Sequence, residues 1–93
     1  MTLLLTPAAR QAARLDLRPG EALRIAFAGG CGALGFRLAA ARRAHEDDLR
    51  LEVEGVPVLL DRQAAAELDG ATLDHDEDEG FRVDHPAWGA SCR

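Results

Sequence analysis

The sequence predicts a small, mostly-β domain with one helix at its N-terminus and a second, short helix near residues 61–68. Apolar residues alternate with smaller or polar ones over Ala22–Phe27 and again over Leu49–Val53, which is the period of a β-strand. Gly55 interrupts the second run and Val56–Leu60 follows as another strand, so these two runs are expected to form a hairpin.

The two helices are predicted from their capping residues. Thr6 is suited to cap a helix that begins at Pro7 and continues to about Arg14, after which residues 18–20 form an Arg-Pro-Gly turn. Asp61 is expected to cap a helix over residues 62–68, which the following Asp-Gly pair ends. Two short strands are expected near residues 72–74 and 81–83.

Two details of the strands bear on the fold. Pro57 favours a sheet edge or the start of a strand, because proline cannot donate to the hydrogen-bond ladder. Residues 36–44 are ambiguous: Phe36, Leu38 and Ala40 alternate as in a strand, whereas Ala, Arg and Leu all favour helix. The fold depends on this segment, and propensity alone favours a helix.

Length and charge limit the classes of function. A chain of 93 residues is expected to form one domain, residues 1–93, with residues 87–93 as a flexible, cysteine-bearing tail. The net charge is −5, which argues against nucleic acid as a partner. No apolar run approaches the roughly 20 residues that span a bilayer, and the start lacks a signal-peptide pattern, so no membrane association and a cytoplasmic location are expected.

The two cysteines are the most informative residues. Cys31 lies in a run of small residues that follows a predicted strand, and Cys92 is one residue from the end of the sequence. Such thiols are expected to be exposed and mobile, unlike structural thiols in apolar runs. Disulfides are rare in the cytoplasm, which leaves metal binding, reactivity and simple packing as the open alternatives.

Other motifs support competing hypotheses. Gly30, Gly32 and Gly35 match the spacing of a dinucleotide-binding fingerprint, with an acidic residue roughly 20 positions on. The acidic run 74–79 resembles the start of a calcium loop, but its glycine is misplaced, so a solvated turn is expected. Trp88 is expected to anchor the tail by packing, or else to contact a partner.

In their order and spacing, several short motifs resemble those of the HesB/IscA family, the A-type iron–sulfur cluster carriers. The likeness covers nearly the whole chain and consists of the leading helix at Leu5-Thr6-Pro7-Ala8-Ala9, the loop Gly30-Cys31-Gly32-Ala33, the aromatic Phe36, Leu68-Asp69-Gly70, Gly80-Phe81, His85-Pro86, and Cys92 six residues after that proline. The family pattern has Asn-Pro in place of His-Pro and Ser-Gly in place of Gly32-Ala33, and it carries a third cysteine.

The resemblance implies a small, mixed β-sandwich-like domain in which residues 36–44 are largely strand. It further implies a non-enzymatic protein of iron–sulfur cluster biogenesis, with Cys31 and Cys92 binding a cluster, two-iron and two-sulfide, or iron. A homodimer would supply the four ligands that such a cluster needs. Cluster donor and acceptor proteins would be the other partners. The differences from the family pattern leave open a non-metal protein-interaction module on the same fold.

Overall fold

The computed structural model of the chain describes residues 1–30 and 32–88, and for Ala33 and Leu34 it describes the backbone alone. These residues form seven strands, two α-helices and one 3₁₀ turn at Gly32–Gly35. In chain order the elements are β1 (Leu3–Leu5), α1 (Pro7–Asp16), β2 (Ala22–Phe27), β3 (Phe36–Ala41), β4 (Leu49–Val53), β5 (Val56–Leu60), α2 (Arg62–Glu67), β6 (Ala71–Asp76) and β7 (Gly80–Asp84). The predicted mostly-β domain with two helices is confirmed.

The strands form two sheets. The larger sheet has the order β3-β2-β5-β4, in which β2 runs antiparallel to β3 and parallel to β5. The smaller sheet has the order β1-β6-β7, with β1 parallel to β6. The predicted hairpin of β4 with β5 is present, and the two short strands expected near the end of the chain, β6 and β7, also pair antiparallel. The mixture of parallel and antiparallel pairs agrees with the expected mixed arrangement.

One hydrophobic core joins the two sheets and both helices. Its buried members come from β1, β2, β5, β6, β7, both helices and the C-cap of α2, and they include Leu3, Leu5, Leu23, Ile25, Val58, Leu60, Leu73, Val83, Ala9, Ala13, Ala64 and Leu68. Fully burying one such Leu, Ile or Val side chain contributes about 1.5–3 kcal/mol. The loops at the sheet ends are therefore held by a common framework.

The first helix starts at the predicted cap and ends two residues later than predicted. The Thr6 hydroxyl accepts a hydrogen bond from the Ala9 N–H at 3.1 Å and donates one to an Asp74 carboxylate oxygen at 2.7 Å. The second bond ties the start of α1 to β6 and lowers the pKa of Asp74. The helix closes at Asp16, where the Leu17 N–H still reaches the Ala13 carbonyl at 2.9 Å.

The ambiguous segment is a strand. All of β3 pairs with β2, from Phe27 opposite Phe36 to Ala22 opposite Ala41, so tertiary pairing overrides the helical propensity of its alanines. Pro57 is the second residue of the central strand β5, and the pairing of β5 with β2 begins one residue later, at Val58. Proline thus stands at a strand start, one of its two predicted positions.

Strand β1 was not predicted from the sequence. Leu3–Leu5 is only three residues long and adjoins a helix cap, so it offers no periodic signal. It is a strand because Leu3 pairs with Ala71 and Leu5 with Leu73, far along the chain. Within residues 1–30 and 32–88, no helix is long and apolar enough to cross a membrane.

Candidate functional site

The loop between β2 and β3 holds the segment in which Cys31 occurs. Its two ends are fixed, because Phe27 pairs with Phe36 and the Ala28 N–H donates to the Gly35 carbonyl at 2.7 Å. Residues 28–35 therefore form a closed loop at the end of the β2–β3 hairpin, and its second half is the 3₁₀ turn.

The glycines on either side of Cys31 have backbone conformations that other residues rarely adopt. Gly30 has φ of 109° and Gly32 has φ of 61°. Gly35 lies close to the start of the loop: a Cβ there would be 3.4 Å from the Gly30 carbonyl carbon and from Phe27 Cε1, at the tight end of van der Waals contact. The loop folds back onto its own backbone, which explains the small residues that the sequence shows.

Asp61 fixes the base of this loop. One carboxylate oxygen accepts the Ala64 N–H at 2.7 Å and caps α2, as predicted. The other accepts the Phe27 N–H at 3.0 Å, and the Asp61 N–H donates to the Ile25 carbonyl at 3.3 Å. The residue thereby extends the β2–β5 pairing to the last residue of β2.

An aromatic cluster joins the loop to the end of the described chain. The Phe27 and Phe36 rings meet edge to face with centroids 5.6 Å apart. Trp88 stacks on Phe36 with centroids 6.0 Å apart and planes at 17°. Trp88 is half-buried against the core, so its predicted packing role is confirmed.

Cys31 and Cys92 both lie outside the described residues, and their roles as ligands remain predictions. Cys31 is bonded to Gly30 and Gly32 in the closed loop. Cys92 follows Trp88 by four residues, which span at most about 14 Å when fully extended. Among the residues that the structure describes, no three His, Asp or Glu side chains converge as a metal site would require.

The main ion pair lies on the same larger sheet. Arg24 on β2 donates two hydrogen bonds of 2.9 Å to the Asp48 carboxylate, whose side chain is 2% exposed. The Arg24 hydrogen bond is the largest cause that lowers the pKa of Asp48 to about 2, and the same pairing raises the pKa of Arg24. The pair holds the β3–β4 connection against β2.

The structure bears on two other sequence motifs, the dinucleotide-binding fingerprint and the acidic run. The residues after Gly35 form β3, so the helix N-terminus that a dinucleotide pyrophosphate would need is replaced by a strand, and that hypothesis is wrong. Residues 74–76 of the acidic run end β6 and residues 77–79 form the turn to β7, where Asp76 accepts the N–H groups of Asp78 and Glu79. The expected acidic turn is confirmed.

A family model described as iron–sulphur cluster biosynthesis matches residues 1–87. The chain belongs to this family. Its HesB/IscA resemblance is thereby confirmed, and its function lies in iron–sulfur cluster biogenesis. Protein Rv2204c of Mycobacterium tuberculosis is 37% identical over 79 residues, which cover 81% of this chain and 67% of that protein.

Two solved structures are similar to this fold. SufA of Escherichia coli, which is involved in the biosynthesis of iron–sulfur clusters, has a TM-score of 0.68 at 27% identity, covering 92% of this chain and 87% of SufA. IscA with a [2Fe-2S] cluster has a TM-score of 0.63 at 29% identity, covering 91% of this chain and 83% of IscA. These matches confirm the predicted fold class.

Part of the environment of the site could not be predicted from the sequence. Asp61 was predicted as a helix cap, but its bond to Phe27 joins residues 34 positions apart and leaves no local signal. The Phe36–Trp88 stack was missed for the same reason. The aromatic residues themselves were visible in the sequence, but their proximity depends on the packing of the β2–β3 hairpin beside the end of β7.

Proposed function

We propose that this protein binds an iron–sulfur cluster, or iron, as cargo and passes it to acceptor proteins, and that Cys31 and Cys92 are the ligands. The observation that carries the proposal is the stack of Trp88 on Phe36. It brings Trp88, four positions before Cys92, to the end of the β2–β3 hairpin at which the loop that bears Cys31 begins.

The reach of both segments supports a common site. Cys31 lies five positions before Phe36 and Cys92 four positions after Trp88, so each cysteine is tethered within about 14–18 Å of the aromatic pair. Gly29, Gly30 and Gly32 carry no side chains, so they would let backbone N–H groups approach negatively charged sulfur.

The ligand count supports a homodimer. A two-iron cluster takes four protein ligands, typically thiolates, and one chain offers two cysteines. Two chains related by a twofold axis would supply Cys31 and Cys92 twice. The carrier needs no bond-making chemistry of its own on the acceptor: transfer proceeds as an acceptor thiolate replaces a carrier thiolate on iron. We therefore propose a carrier and not an enzyme.

The direct test is anaerobic reconstitution with ferrous iron and sulfide, with the visible spectrum and the mass in solution recorded together. We expect thiolate-to-iron charge-transfer bands and a dimeric mass. Cys31→Ser and Cys92→Ser should each abolish retention of the cluster while far-ultraviolet circular dichroism stays unchanged.

Ser91→Ala is the matched control, because it alters the residue next to Cys92 and leaves both thiols in place. It should retain the cluster. Retention by both cysteine variants would show that the site lies elsewhere. A colourless wild-type monomer would contradict the carrier proposal and favour a protein-interaction module on this fold.

A further inference from the structure

A notch lies between the end of α1 and the β4–β5 turn, with a volume of about 350 Å³. Its floor is apolar, because Ala13 and Val56 are buried and Leu17 packs against the core. The exposed residues Arg14 and Arg18 also line it. Small-molecule sites enclose about 300–1,000 Å³, so this notch suits one or two side chains better than a large cofactor.

Contacts within the chain hold the two walls of the notch. In the turn after α1, the Glu21 N–H donates to the Arg18 carbonyl at 2.9 Å, and the Arg18 N–H donates to the Glu21 carboxylate at 2.8 Å. In the β4–β5 turn, the Glu54 carboxylate lies 3.5 Å from the Arg10 guanidinium, and the Glu54 carbonyl accepts a hydrogen bond from Arg14 at 3.5 Å. A notch whose walls are held in this way needs little further ordering of the chain on binding.

The two arginines of the notch keep unused hydrogen-bonding capacity. A guanidinium has five N–H donors, and Arg14 directs one of its nitrogens to the Glu54 carbonyl. Within the part of the chain that the structure describes, no ion pair or side-chain hydrogen bond reaches the Arg18 guanidinium. The neighbouring carboxylates are already bound, Glu54 to Arg10 and Glu21 to a backbone N–H. The notch is therefore positively charged, on a chain whose net charge is −5.

A second groove continues from the notch along β4 and β5. The two share Gly55 and Pro57, and the groove has a volume of about 570 Å³. Leu59, which is 2% exposed, lies in it between β2 and β4, and Arg50 and Glu52 also line it. Together the notch and the groove form a continuous track, which matches an extended chain better than a small molecule.

We propose that the notch is a docking site for an extended segment of a partner protein, in which an apolar side chain enters the notch and flanking carboxylates pair with Arg14 and Arg18. Guanidinium and carboxylate groups form paired, charge-assisted hydrogen bonds, which makes an acidic segment the matching occupant. Peptide docking of this kind goes beyond the proposed function and requires no cluster.

The position of the notch suits a docking site. Glu21 of the notch directly precedes β2, whereas Ala28, at the start of the 28–35 loop, directly follows it. At about 3.3 Å per residue, β2 places the two ends of the larger sheet about 20 Å apart. A partner held in the notch therefore leaves the loop at the other end uncovered.

The test is a titration of the isotope-labelled, metal-free full chain with short synthetic peptides, followed by amide NMR. The peptides carry leucine, isoleucine or phenylalanine between pairs of glutamates. We expect the amides of Gly20, Glu21 and Gly55 to shift, with a dissociation constant of about 1 mM or tighter for at least one peptide. If none of the peptides shifts these amides at about 5 mM, the proposal is overturned.

Two changes in the peptide separate charge from burial. Glutamine in place of the glutamates removes the carboxylates, and alanine in place of the apolar residue removes the anchor. Each change should weaken binding about 10-fold, since a charge-assisted hydrogen bond and a buried aliphatic side chain each contribute at least that factor. A glutamine peptide that binds equally well would overturn the pairing with the arginines. Inorganic phosphate that shifts the same amides with equal affinity would show a general anion site and overturn the docking of a peptide.

Arg14→Gln and Arg18→Gln should each weaken peptide binding about 10-fold and leave the urea midpoint unchanged. Arg18→Glu should reverse the preference and bind a peptide with lysines in place of the glutamates. Arg62→Gln is the matched control: it removes the same charge at the start of α2, where the side chain is 85% exposed, and it should bind as wild type. An equal loss in Arg62→Gln would show attraction by overall charge alone and overturn the site.

The remaining outcomes are distinct from those of cluster binding. A protein that binds the peptides but no cluster would contradict the carrier function and support the docking site. A protein that holds a cluster but binds none of the peptides would do the reverse. Amide shifts in the notch that depend on protein concentration without peptide, together with a dimeric mass, would assign the notch to a second copy and overturn the assignment to a partner protein.

Discussion

Asp61 bonds with one carboxylate oxygen to the start of α2 and with the other to the end of β2, at the base of the Cys31 loop. Replacing it with alanine removes both contacts, whereas serine keeps a single oxygen that can still cap the helix. The two variants therefore separate the helix cap from the support of the loop.

The magnitude follows from the two bonds. A helix cap contributes about 1 kcal/mol, and the hydrogen bond from the Phe27 N–H to a solvated carboxylate contributes about 1 kcal/mol more. Asp61→Ala should therefore lower the free energy of unfolding by about 2 kcal/mol, and Asp61→Ser by about half of that. For a domain of this size, the larger loss lowers Tm by roughly 10 °C.

Urea unfolding at pH 7 measures both values, and hydrogen exchange of the Phe27 amide reports the loop contact alone. That amide should exchange faster in both variants. Asp47→Ala is the control, because its side chain is 73% exposed and its one ion pair is 3.9 Å long. A serine variant as stable as wild type, with a protected Phe27 amide, would refute the idea that Asp61 supports the loop.

Two further predictions concern stability. The lowered pKa of Asp48, about 2 against an ordinary 3.8, stabilises the fold above about pH 4, and this contribution is lost as the pH falls towards 2. Asp48→Asn should therefore cost about 1–2 kcal/mol at pH 7 and only a small part of that at pH 2, where about half of the wild-type Asp48 is still ionised. Thermal unfolding at both pH values would show this, and an equal cost at both would contradict the role of charge. Replacing Leu73, which is 0% exposed, with alanine should lower the free energy of unfolding by about 2–5 kcal/mol. Leu4→Ala, at a position 57% exposed, should lower it little, and the urea midpoints of the two variants would show the difference. Equal costs at the two positions would contradict the assignment of the core.

The elements that the sequence predicted correctly are those whose causes are local. Thr6 and Asp61 bond to N–H groups three residues on, and the alternation in β2 and β4 arises because one face of each strand packs on the core. Such signals are contained within a few neighbouring positions, so they could be recognised without knowledge of the fold.

The elements that propensity missed depend on distant partners. β1 is a strand because of pairing with residues 71–73, and β3 is a strand because Leu38 lies opposite Ile25. For β3, the helical propensity of the alanines favoured a helix, whereas the family resemblance predicted the strand. The candidate site also combines features that can be predicted locally with features that cannot. The glycines around Cys31 are adjacent in sequence, whereas Phe36 and Trp88 are brought into contact only by the fold.

The way in which the chain restrains Cys31 bears on the proposed transfer. Cys31 is bonded on both sides to a loop whose ends are closed by the Ala28–Gly35 hydrogen bond and by Asp61. Displacing a thiolate requires its sulfur to move away from iron, and a loop that is closed at both ends opposes such a movement. In the proposed carrier, we therefore expect Cys31 to be a ligand that resists displacement while the cargo is exchanged.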